Sequence, residues 1–185
     1  KLSEIPHYVR NAFVAAEDAS FYQHPGIDFA SILRAIVKNV TSGHARQGGS
    51  TITQQVVKNL LLSREKKLAL KVKEAILSYE LEKRLTKDEI LEIYLNEIFL
   101  GNGAYGVKAA SRLYFHKELD QLTLAEAALL AGLPQAPSRY SPIQNLTEAT
   151  ERQHYVLGQM VKAGFVSEQA AKEARAQQIK VFRAS

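Results

Sequence analysis

"TKDEILEIYLNEIFLGNG", residues 86–103, decides the fold class. Thr86 with Glu89 three residues on makes a capping box, the reciprocal pairing that opens a helix. Apolar residues then recur at helical spacing until Gly101 and Gly103 close the run. The same grammar repeats on either side. "TLAEAALLAGL" opens on Thr123 with Glu126, a second capping box. "DFASILRAIVKNV" begins with Asp28 as N-cap and carries Ile32, Ile36 and Val40 at spacings of four. "STITQQVVKNLLL" is opened by Ser50 or Thr51, and "REKKLALKVKEAILSYELEKRL" is long and strongly helix-forming. "YVRNAFVAAEDASF" puts Val9, Phe13 and Ala16 on one stripe. "YGVKAASRLYF", "TEATERQHYVLGQMVKAG" and "SEQAAKEARAQQ" supply three further helices. Strand alternation is nearly absent, so the predicted class is all-α.

The 185 residues are 46% hydrophobic, enough for one domain with a sizeable core. Glycines and small polar residues in "SGHARQGGS" interrupt the helices, and the region about 43–70 is expected to form a mobile lobe. No run approaches the roughly 18 to 20 apolar residues of a membrane span, and no signal-peptide pattern opens the chain. The ends "KLSEIPHY" and "KVFRAS" lack clear caps, and the chain is expected to be a piece of a longer protein. Cysteine is absent, and the five histidines show no H-x-x-x-H pairing, which argues against disulfide and zinc chemistry. The formal net charge of +5 suits either a solvated basic surface or an anionic partner: nucleic acid, phospholipid headgroups or a phosphorylated substrate.

Three stretches carry candidate chemistry. In "AFVAAEDASFYQHPG", residues 12–26, Glu17 and Asp18 are adjacent. On a helix they would point about 100° apart and could not share a proton. Neighbouring aromatics and apolar residues favour a desolvated carboxylate of raised pKa, as a general base needs. On these residues alone, two solvated acids in an exposed helix C-terminal turn are the preferred reading. In "GGSTITQQVVK", Gly48 and Gly49 permit close backbone approach. Ser50, Thr51 and Thr53 bring hydroxyls to a helix start, and Lys58 follows Gln55 on one face, with Gln54 beside it. That set suits a sugar and a phosphate; an ordinary loop–helix junction uses the same residues. In "KKLALKVKEA", Lys67, Lys71 and Glu74 fall on one stripe, so Lys71 and Glu74 can touch. On spacing alone a solvated face with a weak ion pair is the preferred reading, and a cation and carboxylate aimed together at an anionic group is the alternative. In "YLNEIFLGNGAYG", Asn96 is placed to satisfy buried backbone groups.

These stretches, in order, resemble the peptidoglycan glycosyltransferase family, the glycan-polymerising domain of class A penicillin-binding proteins and of monofunctional glycosyltransferases. The family pattern E-D-x-x-F-x-x-H-x-G is complete as Glu17, Asp18, Phe21, His24 and Gly26. G-x-S-T-x-T-Q-Q appears as residues 48–55. R-K-x-x-E is matched at Lys71 and Glu74, with Leu70 where the pattern has Arg. "ILEIYLNEIFLG" and "LAGLPQAPSRYSP" complete the set, and the resemblance spans roughly residues 5 to 180.

The resemblance implies a lysozyme-like helical lobe beside a smaller, mobile, membrane-proximal lobe. It implies a membrane anchor before the chain and a transpeptidase domain after it. The implied reaction transfers a lipid-linked glycan donor onto the GlcNAc 4-hydroxyl of lipid II. It forms a β-1,4 bond with inversion and releases undecaprenyl pyrophosphate. Glu17 and Glu74 are the implied catalytic carboxylates, Glu17 as general base. Asp18, Phe21, His24, Ser50, Thr51, Thr53, Gln54, Gln55, Lys58, Lys71 and Asn96 are the implied substrate contacts. No fixed cofactor is implied; a divalent cation (Mg2+ or Mn2+) bridging the donor pyrophosphate is the one candidate, and no metal ligands are assigned. The implied partners are lipid II, the lipid-linked glycan strand, an anionic membrane surface and the inhibitor moenomycin, with no nucleic acid. The implied location is the outer face of the bacterial inner membrane. Leu60, Leu61, Leu62, Leu68 and Leu70, interleaved with lysines, are either helix core or a membrane-dipping edge.

Overall fold

Helix α1 (His7–Glu17) starts directly after Pro6, whose fixed φ suits a helix entrance. Arg10 Nε donates to the Ile5 carbonyl at 2.9 Å and ties the incoming chain to the first turn. The computed structural model describes residues 1–42, 49–62 and 68–183. Gly48, Lys66 and Lys67 lie outside the described residues, as do the side chains of Ile36, Val40 and Leu68. Among the described residues eight further helices follow: α2 (Phe29–Ser42), α3 (Ile52–Leu60), α4 (Leu68–Arg84), α5 (Lys87–Glu97), α6 (Val107–Phe115), α7 (Leu124–Ala131), α8 (Leu146–Lys162) and α9 (Glu168–Ala176). Two 3-10 turns, Leu2–Glu4 and Leu119–Gln121, were not anticipated from the sequence. Among the described residues the only β pairing is an isolated bridge between Phe99 and Tyr105. The all-α prediction therefore holds.

The helix starts follow the sequence closely. Thr86 and Glu89 exchange side-chain and backbone bonds, as do Thr123 and Glu126. Thr51, rather than Ser50, caps α3: its Oγ1 accepts the Gln54 N–H at 3.0 Å while Gln54 Oε1 accepts the Thr51 N–H at 2.9 Å. Asp28 caps α2 through the Ser31 N–H at 3.0 Å. Burial opposes its charge, but hydroxyls from Ser20 and Ser31, the Ser31 N–H and Arg34 outweigh it. Together they hold the carboxyl at a pKa of about 2.

The chain divides into two compact units, one of residues 1–19 with 95–185, the other of residues 20–94. In the first, α7 is buried over nearly its whole length and packs against α1, α6, α8 and α9. Val9 and Phe13 of α1, Leu130 of α7, and Val156 and Leu157 of α8 are fully enclosed, each such side chain contributing about 1.5–3 kcal/mol by leaving water. Tyr114 locks the turn after α5 to this core. Its hydroxyl donates to the Leu100 carbonyl at 2.7 Å and accepts from Asn102 Nδ2, which also reaches Ser141 Oγ. Burial raises the Tyr114 pKa despite those bonds.

In the second unit, α3 packs on α4. Helix α2 is apolar on more than one face: Phe29 is 71% exposed, and Leu33 and Val37 join it in an exposed stripe. Leu60 and Leu61 at the end of α3 are also exposed, whereas Leu62 and Leu70 are half-buried. Among the described residues no helix is long and apolar enough to cross a membrane.

Candidate active site

The residues singled out by the motifs fall in both units. In the first unit, Glu17 is the last residue of α1. Its side chain is 10% exposed and lies 3.9 Å from an Arg152 terminal nitrogen on α8. Asp18 is also buried, so two solvated acids at a helix end are excluded. The expected 100° separation does not apply, because Asp18 has left the helix. Its φ of −162° and ψ of 72° are extended, and only its N–H still bonds back, to the Val14 carbonyl. The two carboxylates are thus distinguished by backbone conformation, not by position on a helical wheel.

Arg152 was not singled out from the sequence. It is 8% exposed, lies over the Tyr155 ring at 4.5 Å, and has the Tyr140 ring at 5.6 Å. Its aliphatic stem passes over Gly132, where an added Cβ would come within 2.7 Å of Arg152 Cγ. The signal was present in the sequence: Arg152 continues the buried stripe of Ala149, Val156 and Met160 on α8, an arginine at a core position.

In the second unit the first and second motifs interlock. Phe21 and His24 are buried. His24 Nδ1 accepts the Gly26 N–H at 3.0 Å, and the Gly26 carbonyl accepts the Thr51 hydroxyl at 2.7 Å. Thr53 donates to Glu82 Oε1 at 2.7 Å. Lys87 bonds the same Glu82 oxygen and the His24 carbonyl, both at 2.6 Å, and covers the Phe21 ring at 4.6 Å. Lys87 and Glu82 were missed by sequence reasoning. The one hint was a lysine in the first turn of α5, where the helix dipole disfavours a cation.

The second and third motifs meet at Lys71. Its ammonium donates to Ser50 Oγ at 2.9 Å and to Glu74 Oε1 at 2.7 Å. Glu74 is buried, so the solvated-face reading fails for it. Gln55 is half-buried and accepts the Tyr94 hydroxyl at 3.5 Å, and Lys58 is exposed in the last turn of α3. In the first unit, Asn96 is exposed.

The polar residues therefore sort into two groups. Thr51, Thr53, Gln54 and His24 spend donors and acceptors inside the protein, whereas Ser50, Gln55, Lys58, Lys71 and Asn96 keep accessible surface. Lysines with a buried carboxylate suit an anionic group; a buried carboxylate at a helix end suits proton abstraction. Among the described residues no three acids or histidines gather as a metal-holding set, and the Glu74 carboxylate is engaged by Lys71.

Residues 1–161 match the family model described as transglycosylase. The chain is 49% identical over 174 residues to penicillin-binding protein 1A of Neisseria lactamica, covering 94% of this chain and 22% of that protein. It is 48% identical over 173 residues to penicillin-binding protein 1A of Aquifex aeolicus (strain VF5), covering 94% of this chain and 24% of that protein. A crystal structure of penicillin-binding protein 1A from Haemophilus influenzae superposes with a TM-score of 0.61 at 29% identity, over 99% of this chain and 18% of that one. The chain thus spans about a quarter or less of the proteins it matches. Five ordered motifs, an all-helical architecture and a match over most of its length agree: the chain belongs to the transglycosylase family, the peptidoglycan glycosyltransferases.

Proposed function

We propose that the chain polymerises lipid II into glycan strands. The observation that carries this reading is Glu17, a carboxylate almost removed from water at the end of α1 in a chain of this family. Glu17 accepts the proton of the GlcNAc 4-hydroxyl as that oxygen bonds to the donor's anomeric carbon. The bond from that carbon to the pyrophosphate breaks on the opposite face, and the electron pair leaves with undecaprenyl pyrophosphate. Attack opposite the leaving group inverts the centre and leaves a β-1,4 link. A sugar hydroxyl is a weak nucleophile, and a base in a dry site removes its proton without competition from solvent.

Lys71 and Lys58 neutralise the departing pyrophosphate. Glu74 orients Lys71, as their 2.7 Å contact supports. Ser50, Gln55, Asn96 and Asp18 contact the sugars. Phe21, His24, Thr51, Thr53 and Gln54 brace the second unit's own motifs from inside. The reaction takes place at the outer face of the inner membrane, against an anionic lipid surface, and moenomycin competes with the donor.

Radiolabelled lipid II supplied in detergent tests this reading. Wild-type protein makes glycan chains and undecaprenyl pyrophosphate, while Glu17→Gln binds lipid II but makes neither. Release of soluble muropeptides from sacculi, without chain growth, would replace polymerisation by strand cleavage.

A further inference from the structure

Arg152 is a buried cation whose Nε lacks a hydrogen-bond partner among the described residues, an arrangement that contributes little to folding. It is nonetheless held in place on several sides. Tyr155 and Tyr140 present ring faces to the guanidinium, and Gly132 leaves the volume its stem fills. Its terminal nitrogen points to Glu17 Oε1 at 3.9 Å. That distance exceeds hydrogen-bond length but lies within the range where an opposite charge governs ionisation.

Glu126, the single titratable group of α7, bonds Lys117 and the Thr123 N–H. On α8, Glu148 pairs with Arg139, Glu151 and Lys162 lie away from the buried face, and His154 and Tyr155 are half-buried. At the opposite end of α1, Arg10 bonds the Ile5 carbonyl and contacts His7, and the Tyr8 hydroxyl donates to the Leu122 carbonyl. Asp18 follows Glu17 directly and is the nearest like charge in sequence.

We propose that Arg152 is a positioning residue for Glu17. Its guanidinium keeps the carboxylate ionised in a site stripped of water, and fixes its direction without bonding the oxygen that must take the proton. A direct short bond would bind the oxygen's lone pair and blunt the base. No cation at all would leave burial to protonate it. The inference rests on the proposed role of Glu17 as base.

The test uses the whole chain, with Arg152→Gln, Arg152→Lys and Gly132→Ala. The Glu17 carboxyl is titrated by carbon-13 NMR, assigned by its loss in Glu17→Gln, and pH–rate profiles are recorded on lipid II. Removing the cation raises the Glu17 pKa, so Arg152→Gln should move the titration and the acidic limb of the profile up by about one pH unit or more. Arg152→Lys keeps the charge and should shift both less. Gly132→Ala displaces the arginine stem and should shift both in the same direction as Arg152→Gln, which decides the matter if that variant does not fold. A Glu17 titration unchanged in the folded variants overturns the proposal, as does a uniform fall in rate with no change in profile. If wild-type protein does not extend lipid II, the function fails, while the NMR titration still decides whether Arg152 governs Glu17.

Discussion

Lys71 Nζ and Glu74 Oε1 are 2.7 Å apart, yet the two side chains live in different solvents: the lysine is 53% exposed and the glutamate 6%. The contact spans one helical turn of α4, and the lysine also reaches Ser50. Removing the lysine strands a buried carboxylate. Lys71→Ala should therefore lower stability by about 1–2 kcal/mol, below a fully buried pair because water reaches the lysine. Adding Glu74→Gln should recover part of the loss. Urea denaturation of both single variants and the double variant measures the coupling. On lipid II, Lys71→Ala should raise the donor concentration needed for half-maximal rate.

Asp28 makes the start of α2 sensitive to acid. Its folded pKa of about 2 lies below the ordinary 3.8, so its contribution is present above about pH 4 and is lost as pH falls through 2. Asp28→Asn keeps a capping oxygen without the charge. It should cost well under 1 kcal/mol at pH 7 and flatten the stability profile between pH 4 and 2, whereas Asp28→Ala should cost about 1 kcal/mol. Thermal unfolding across that pH range separates the two.

Gly26 has φ +102°, and a Cβ there would meet the Ser78 carbonyl oxygen at 2.8 Å. Both problems are backbone problems that no rotamer relieves. Gly26→Ala should cost about 2–4 kcal/mol, read as a fall in the denaturation midpoint. Gly106, with φ +84° and the Asn96 carbonyl oxygen in the space a Cβ would take, should behave alike.

Lys87 is the hub of the second unit. Lys87→Met keeps the stem over Phe21 but leaves the Glu82 carboxylate and the His24 carbonyl short of a donor. A loss of about 2–3 kcal/mol is expected. Replacing Glu82 by Gln in the same protein should recover part of it, as chemical denaturation would reveal.

Helix starts were the most legible part of the sequence, because a capping residue and its partner lie three positions apart. Thr86 with Glu89, Thr123 with Glu126, and Asp28 with Ser31 are local chemistry. The contact between Lys71 and Glu74 is legible for the same reason. The environment of Glu17 was not, because Arg152 reaches it from a distant part of the sequence and is itself positioned over Gly132. Asp18 defeated the helical wheel by leaving the helix one residue early. Phe29, Leu33 and Val37 show a further limit: apolar spacing reveals a stripe, but not that the stripe stays exposed.

Thr51 exhausts its one hydroxyl. The oxygen accepts the Gln54 N–H that opens α3, and its hydrogen goes to the Gly26 carbonyl. Serine can do both jobs, valine neither, and asparagine or aspartate only the first at this reach. In a library randomised at this position, selection for folded protein should return threonine and serine, so a single hydroxyl narrows the routes through sequence space that the chain can take.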